Sequence, residues 1–157
     1  MPKKSFTLIE LLVVISIMAI FIGVGLAQYN TYAQQLKLKS EAKKLVDVLE
    51  LAKQKSLSAD LIGSCDDFTG YRVTISANAY SFKFCCATSC SVVQNYNLTT
   101  NISITSTTGD FNFPPLMKNI NFSISSIQLK NSAIGKCVTV SISPIGIIGL
   151  DEILIGC

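Results

Sequence analysis

The chain has 157 residues, of which 49% are hydrophobic and only 15% charged, with a mean hydropathy of +0.46. That length allows one compact domain plus an appendage, and the low charged share argues against a disordered chain. A net charge of +3 is too small for a polybasic nucleic-acid binder, and the lack of any His excludes His-dependent triads, general bases and zinc sites.

The apolar excess is concentrated at the start. Residues Phe6 to Ala27 contain one charge, Glu10, and two other polar side chains, Thr7 and Ser16. About 20 apolar residues at 1.5 Å rise suffice to cross a bilayer once. Lys3 and Lys4 precede the run, and such flanks stay cytoplasmic, so the remainder is expected outside the membrane. Three readings compete. A secretory signal cut after Ala27 has suitable small residues at Gly25 and Ala27, but the run exceeds a usual signal core of about 7–15 residues. A plain anchor accounts for everything except Glu10, whose carboxylate lies one turn inside the apolar run. At depth an ionised carboxylate costs about 2.5–3.5 kcal/mol or more, so it calls for a partner cation.

The stretch from Lys3 to Val14, reading Lys-Lys-Ser-Phe-Thr-Leu-Ile-Glu-Leu-Leu-Val-Val, resembles the class III signal of type IV prepilins and type II secretion pseudopilins. The resemblance covers roughly the first 30 residues. It implies that prepilin peptidase cuts between Ser5 and Phe6 and methylates the new amino terminus of Phe6. It also implies that Glu10 neutralises the terminal amine of a neighbouring pilin or pseudopilin subunit during assembly. Two features depart from the family's habit. Ser5 stands where Gly is commoner, and the helix lacks a mid-span Pro. Ala19, Gly23 and Ala27 form a small-residue row that lets helices approach closely, or else reflect ordinary membrane-helix composition.

The helix is expected to run on from Phe6 to Ser58, about 80 Å at 1.5 Å per residue. Leu38, Ala42, Leu45, Leu49 and Ala52 recur at alternating spacings of four and three, one apolar stripe. Lys37, Lys39, Lys43, Lys44, Lys53 and Lys55 surround it. They face Glu41, Asp47, Glu50 and Asp60, a solvated face rather than a nucleic-acid surface. Glu41 is spaced to pair with Lys44. Asp60 to Gly63 is the expected break, with Gly63 as terminator.

Beyond it, alternation replaces the helical period. Strands are expected at Tyr71–Ile75, Tyr80–Phe84, Ile102–Ile104, Ile120–Ile124 and Cys137–Ile142, with Ala77–Ala79 as a hairpin turn. Pro114 and Pro115 mark a loop. Asp66-Asp67 and Asp151-Glu152 are expected on loops, and no constellation suits catalysis.

Six cysteines, Cys65, Cys85, Cys86, Cys90, Cys137 and Cys157, all follow the apolar run, as befits disulfides outside the cytoplasm. Fifteen connectivities are open. The expected set ties Cys137 to Cys157, bridges Cys65 to the Cys85/Cys86 strand and closes Cys86 onto Cys90. A metal site on Cys85, Cys86 and Cys90 is the weaker alternative, lacking His and a second paired motif.

The expected class is α+β: a long N-terminal helix packed against an antiparallel sheet domain. Residues 1–5 form the leader, 6–27 the membrane or filament-core helix, 28–60 its amphipathic continuation and 61–157 the disulfide-bonded β domain. Val140 to Gly146 resembles the minor pseudopilin group that shares a domain with DNA-uptake minor pilins. In the DNA-uptake branch arginines follow that Gly, whereas Ile147 and Ile148 follow here. The reading is a minor pilin or pseudopilin without cofactor, metal or enzymatic role, resident in the inner membrane before assembly. A DNA-binding tip subunit and a secreted β domain are the alternatives.

Overall fold

The computed structural model describes residues 7–62, 65, 67–106, 108–118, 120, 122 and 126–157, with the backbone alone for 24–27. With no Pro before Pro114 except Pro2, nothing interrupts helical hydrogen bonding early in the chain, and one helix, α1, runs unbroken from Leu8 to Leu57. Gly23 and Gly25 weaken it by about 1 kcal/mol each without breaking it.

Ala59, rather than Gly63, closes α1. Gly63 lies outside the described residues, and Ala59 takes the left-handed conformation at φ 49°. Its N–H donates to the Ser56 carbonyl at 3.3 Å, and the Asp60 N–H donates to the Lys55 carbonyl at 3.1 Å. This pair of reversed bonds is a Schellman stop built on alanine. The Ser58 hydroxyl donates to Gln54 O, and the Tyr71 hydroxyl donates to Asp60 O at 2.6 Å, which fastens the helix end to the sheet.

The expected strands are all short stretches, and the described residues form eight. They are β1 (Phe68–Ile75), β2 (Ala79–Cys86), β3 (Cys90–Asn97), β4 (Ile102–Ile104), β5 (Gly109–Phe113), β6 (Ser126–Asn131), β7 (Lys136–Ile142) and β8 (Ile148–Gly156). They form two antiparallel four-stranded sheets, in the orders β3-β2-β1-β5 and β4-β6-β7-β8. The fold is α+β, one long helix against an antiparallel β domain.

The amphipathic stripe becomes the centre of the core. Leu38, Ala42, Leu45, Leu49 and Ala52 are all completely buried, with Ser56 continuing the same face. Burying a leucine is worth about 1.5–3 kcal/mol, so these positions largely decide where the sheets dock. From the sheets come Tyr71, Val73, Phe82, Phe111, Phe113, Ile127, Leu129, Val138 and Val140, most of them alternating with less buried neighbours. Gly70 sits at φ 122° where β1 bulges, and a Cβ there would collide with the Phe113 carbonyl of β5.

Three further expectations need correction. The strand placed at Ile120–Ile124 is not seen: Ile120 and Phe122 are non-strand, the residues between and after them are outside the description, and β6 starts at Ser126. Phe122 instead packs its ring on Phe111 and Phe113, with centroids 5.9 and 5.3 Å away. Asp151 and Glu152 lie inside β8, not on a loop. Cys137 opposes Ile155 while Thr139 opposes Asp151, so β8 carries two extra residues that swing Glu152 towards α1. Asp67 does precede a strand, and Asp66 is outside the described residues.

The third correction concerns the cysteines. Cys65 bonds Cys86, Cys85 bonds Cys90 and Cys137 bonds Cys157. Cys90 thus takes Cys85 and not Cys86. The β2–β3 register sets Cys85 directly opposite Cys90, with Cα atoms 4.0 Å apart. Cys86 points to the other face by strand alternation, where Cys65 arrives from the helix side of the chain. All three sulfurs of the alternative metal site are therefore committed to disulfides.

Candidate functional site

The unusual chemistry of this chain lies at the start of α1. Thr7 is the N-cap, extended at φ −80° and ψ 149°. Its carbonyl accepts from the N–H groups of Glu10 and Leu11 at 3.1 and 3.3 Å, and its hydroxyl accepts from the Glu10 N–H at 3.4 Å. Threonine followed three residues later by glutamate has the capping-box spacing, and an acid in the first turn complements the helix dipole. Thr7 was readable from that spacing, yet its capping role is absent from a reading centred on Glu10.

From Thr7 to Gly23 every side chain is exposed. Leu8 is 81% exposed, Phe21 74% and Ile20 68%, so the monomer leaves this apolar surface entirely bare. The other polar groups on it are satisfied locally: the Ser16 hydroxyl donates to Leu12 O at 2.8 Å, and Thr7 is occupied by its cap. The Glu10 carboxylate has no hydrogen bond or ion pair among the described residues. Ala19 is exposed and nothing lies within 4 Å of a Cβ placed on Gly23, so this part of the small-residue row is open. The Ala27 side chain is outside the described residues. Lys3, Lys4, Ser5 and Phe6, the residues of the expected leader, cut and methylation, are also outside them.

The second half of α1 behaves differently. Glu41 is 5% exposed, accepting from Lys44 Nζ at 2.9 Å and from the Thr99 hydroxyl at 2.6 Å. Lys39 and Lys43 reach Glu152 at 3.8 and 3.3 Å, Lys53 reaches Glu50 and Lys55 reaches Asp60. The Asp60 hydrogen bond holds the Lys55 ammonium above its usual pKa. Five of the six helix lysines are thus matched to carboxylates, and only Lys37 has no ion pair among the described residues. Such a face is solvated and internally balanced, not a free cationic surface. Burial, with the Glu41 charge behind it, pushes the Tyr80 phenol well above its usual range, and its ring stacks on Tyr96 at 5.0 Å.

The site is therefore an apolar rod projecting from a disulfide-bonded β domain, with one carboxylate near its tip that is unpartnered among the described residues. Residues 1–26 match the family model described as the prokaryotic N-terminal methylation motif. No curated protein and no solved structure matches the chain. The motif and the bare apolar helix together support a membrane-anchored, type IV pilin-like subunit.

Proposed function

We propose that the chain is a minor pilin or pseudopilin, stored in the inner membrane by α1 and then built into a filament through the same helix. Its leader stays cytoplasmic and its disulfide-bonded domain lies outside. Prepilin peptidase cuts between Ser5 and Phe6, removing Lys3 and Lys4, and Phe6 is methylated. The Phe6 amine of one subunit then pairs with Glu10 of its neighbour.

The observation that carries this reading is the Glu10 carboxylate, unpartnered among the described residues on a helix whose described apolar side chains up to Gly23 are all exposed. A buried, unpaired carboxylate is far costlier than a paired one, so removing the helix from water favours any neighbour that brings a cation. The bare leucines and isoleucines supply the non-directional drive, and the Glu10–amine pair sets the stagger between subunits.

Glu10→Ala tests it. The variant inserts into the membrane and yields the mature N-methyl-Phe6 terminus, read by mass spectrometry, but is missing from sheared filaments. Recovery of Glu10→Ala in filaments at the wild-type level refutes the pairing role. A mature protein that begins at Gln28 refutes the whole reading in favour of a secreted domain.

A further inference from the structure

We infer that Tyr29 and Tyr32 are a lipid-headgroup anchor that fixes how deep α1 sits and seats the globular domain directly on the membrane surface. This rests on the membrane-anchored state proposed above.

The distances along the helix carry the argument. From Leu8 to Tyr29 is 21 residues, about 32 Å at 1.5 Å per residue, close to the roughly 30 Å hydrocarbon core of a bilayer. The end of the apolar run is therefore the far membrane interface, and Tyr29 is the first aromatic ring to reach it. Tyr32 follows three residues later on the same helix face. Both rings are open, at 69% and 60% exposure. Tyrosine suits this depth because its ring is apolar and its hydroxyl needs a wet partner.

The neighbouring residues fit the same boundary. Gln28, Asn30, Thr31, Gln34 and Gln35 are polar but uncharged, and the first ionised side chain past the span is Lys37. The headgroup layer on one side of a bilayer is about 5–8 Å thick. Tyr29 to Gln34 covers about 7.5 Å of helix. At Gln34 the domain takes hold: the buried Asn131, at the end of β6, donates from Nδ2 to Gln34 Oε1 at 3.1 Å and to Gln34 O at 3.3 Å. No length of bare helix separates headgroups from domain, so the β6–β7 turn at Ser132–Gly135 rests on the lipid surface.

The chain has no Trp, so one introduced Trp reports a single depth. Tyr29→Trp, Tyr32→Trp, Ile17→Trp and Ile145→Trp are each placed in full-length chain in phosphatidylethanolamine–phosphatidylglycerol vesicles. The vesicles carry lipids brominated either shallow or deep in the acyl chain. The expected result is stronger quenching by shallow than by deep bromines at positions 29 and 32, the reverse at 17, and neither at 145. In a Tyr29→Ala/Tyr32→Ala background the ratio of deep to shallow quenching at 17 shifts, because the depth is no longer held.

Deep quenching at 17 with none at 29 and 32 overturns the anchor while leaving the membrane state intact. An unchanged ratio in the double-Ala background overturns it too. So does emission at 29 and 32 that follows protein-to-lipid ratio but not bromine position, which would assign the rings to a neighbouring helix. Absence of quenching at 17 removes the membrane state itself, and the anchor with it.

Discussion

Asn131 ties the β domain to α1 at Gln34, shortly after the apolar run, and replacing it tests that grip. The side chain is fully buried. Nδ2 donates to the backbone and side-chain oxygens of Gln34, while Oδ1 accepts from the Ala133 N–H at 2.9 Å. Three hydrogen bonds at about 1 kcal/mol each set an upper bound near 3 kcal/mol for Asn131→Ala. The partners soften that loss, because Ala133 is exposed and Gln34 half-buried, so both regain water. The expected cost is about 1–2 kcal/mol, or a Tm lower by roughly 2–8 °C, in near-UV circular dichroism melts of the full chain in detergent. Asn131→Asp is expected to be worse at neutral pH. It keeps the acceptor for Ala133 but sets a buried charge against two Gln34 oxygens. Burial lifts that introduced carboxyl above its unfolded pKa of about 3.9, so the folded state keeps its proton longer. The extra instability is thus absent below the unfolded pKa, grows as pH rises through the window, and is complete above the folded pKa. An Asn131→Asp chain as stable as Asn131→Ala at pH 7 refutes the reasoning.

Three further outcomes follow from the same structure. Ala59→Gly relieves the left-handed residue of the helix stop and is expected to stabilise the chain by about 0.5–1 kcal/mol, seen as a higher Tm in the same melts. The raised Tyr80 phenol keeps its proton in the folded state, so its contribution is intact below the unfolded pKa of about 10 and fades as pH rises above it. Tyr80→Phe should therefore flatten the loss of stability above pH 10, as measured by denaturant titration. For the cysteines, Cys86→Ser/Cys90→Ser is expected to leave Cys65 and Cys85 as free thiols in an Ellman assay of unfolded protein. Cys85→Ser/Cys90→Ser should leave none, and the reverse pattern would place the bond at Cys86–Cys90.

What could be read from the residues depended on whether one side of an element is wet and the other dry. Leu38, Ala42, Leu45, Leu49 and Ala52 announce themselves because polar residues fill the rest of that helix, and all five are buried. Tyr71–Ile75 and Tyr80–Phe84 alternate for the same reason and lie in β1 and β2. β3 carries no such contrast: as an edge strand it exposes both faces at Ser91–Asn95, so Val92 and Val93 stand side by side without a period. β5 does alternate at Phe111 and Phe113, and its signal was short but present. Around β6 two alternating runs compete, Ile120-Phe122-Ile124 and Ile127-Leu129, and among the described residues the second pairs with β4 and β7. At the helix tip, Glu10 was conspicuous as a charge among leucines. Tyr29 and Tyr32 were not, since their meaning depends on how far the domain reaches down the helix.

The unbroken course of α1 also makes it a fixed mechanical phase between its two ends. With no proline or kink from Leu8 to Leu57, a turn of the tip about its axis is the same turn of the β domain. Each residue advances the helix by about 100° and 1.5 Å. A single residue inserted between Asn30 and Thr31 would swing every domain surface by about a quarter turn relative to Glu10. Seven inserted residues would bring it back to within about 20° while lifting it some 10 Å. In a filament built as proposed, which side of the β domain meets its neighbours is thus dialled by residue count along the helix, far from any surface that touches them.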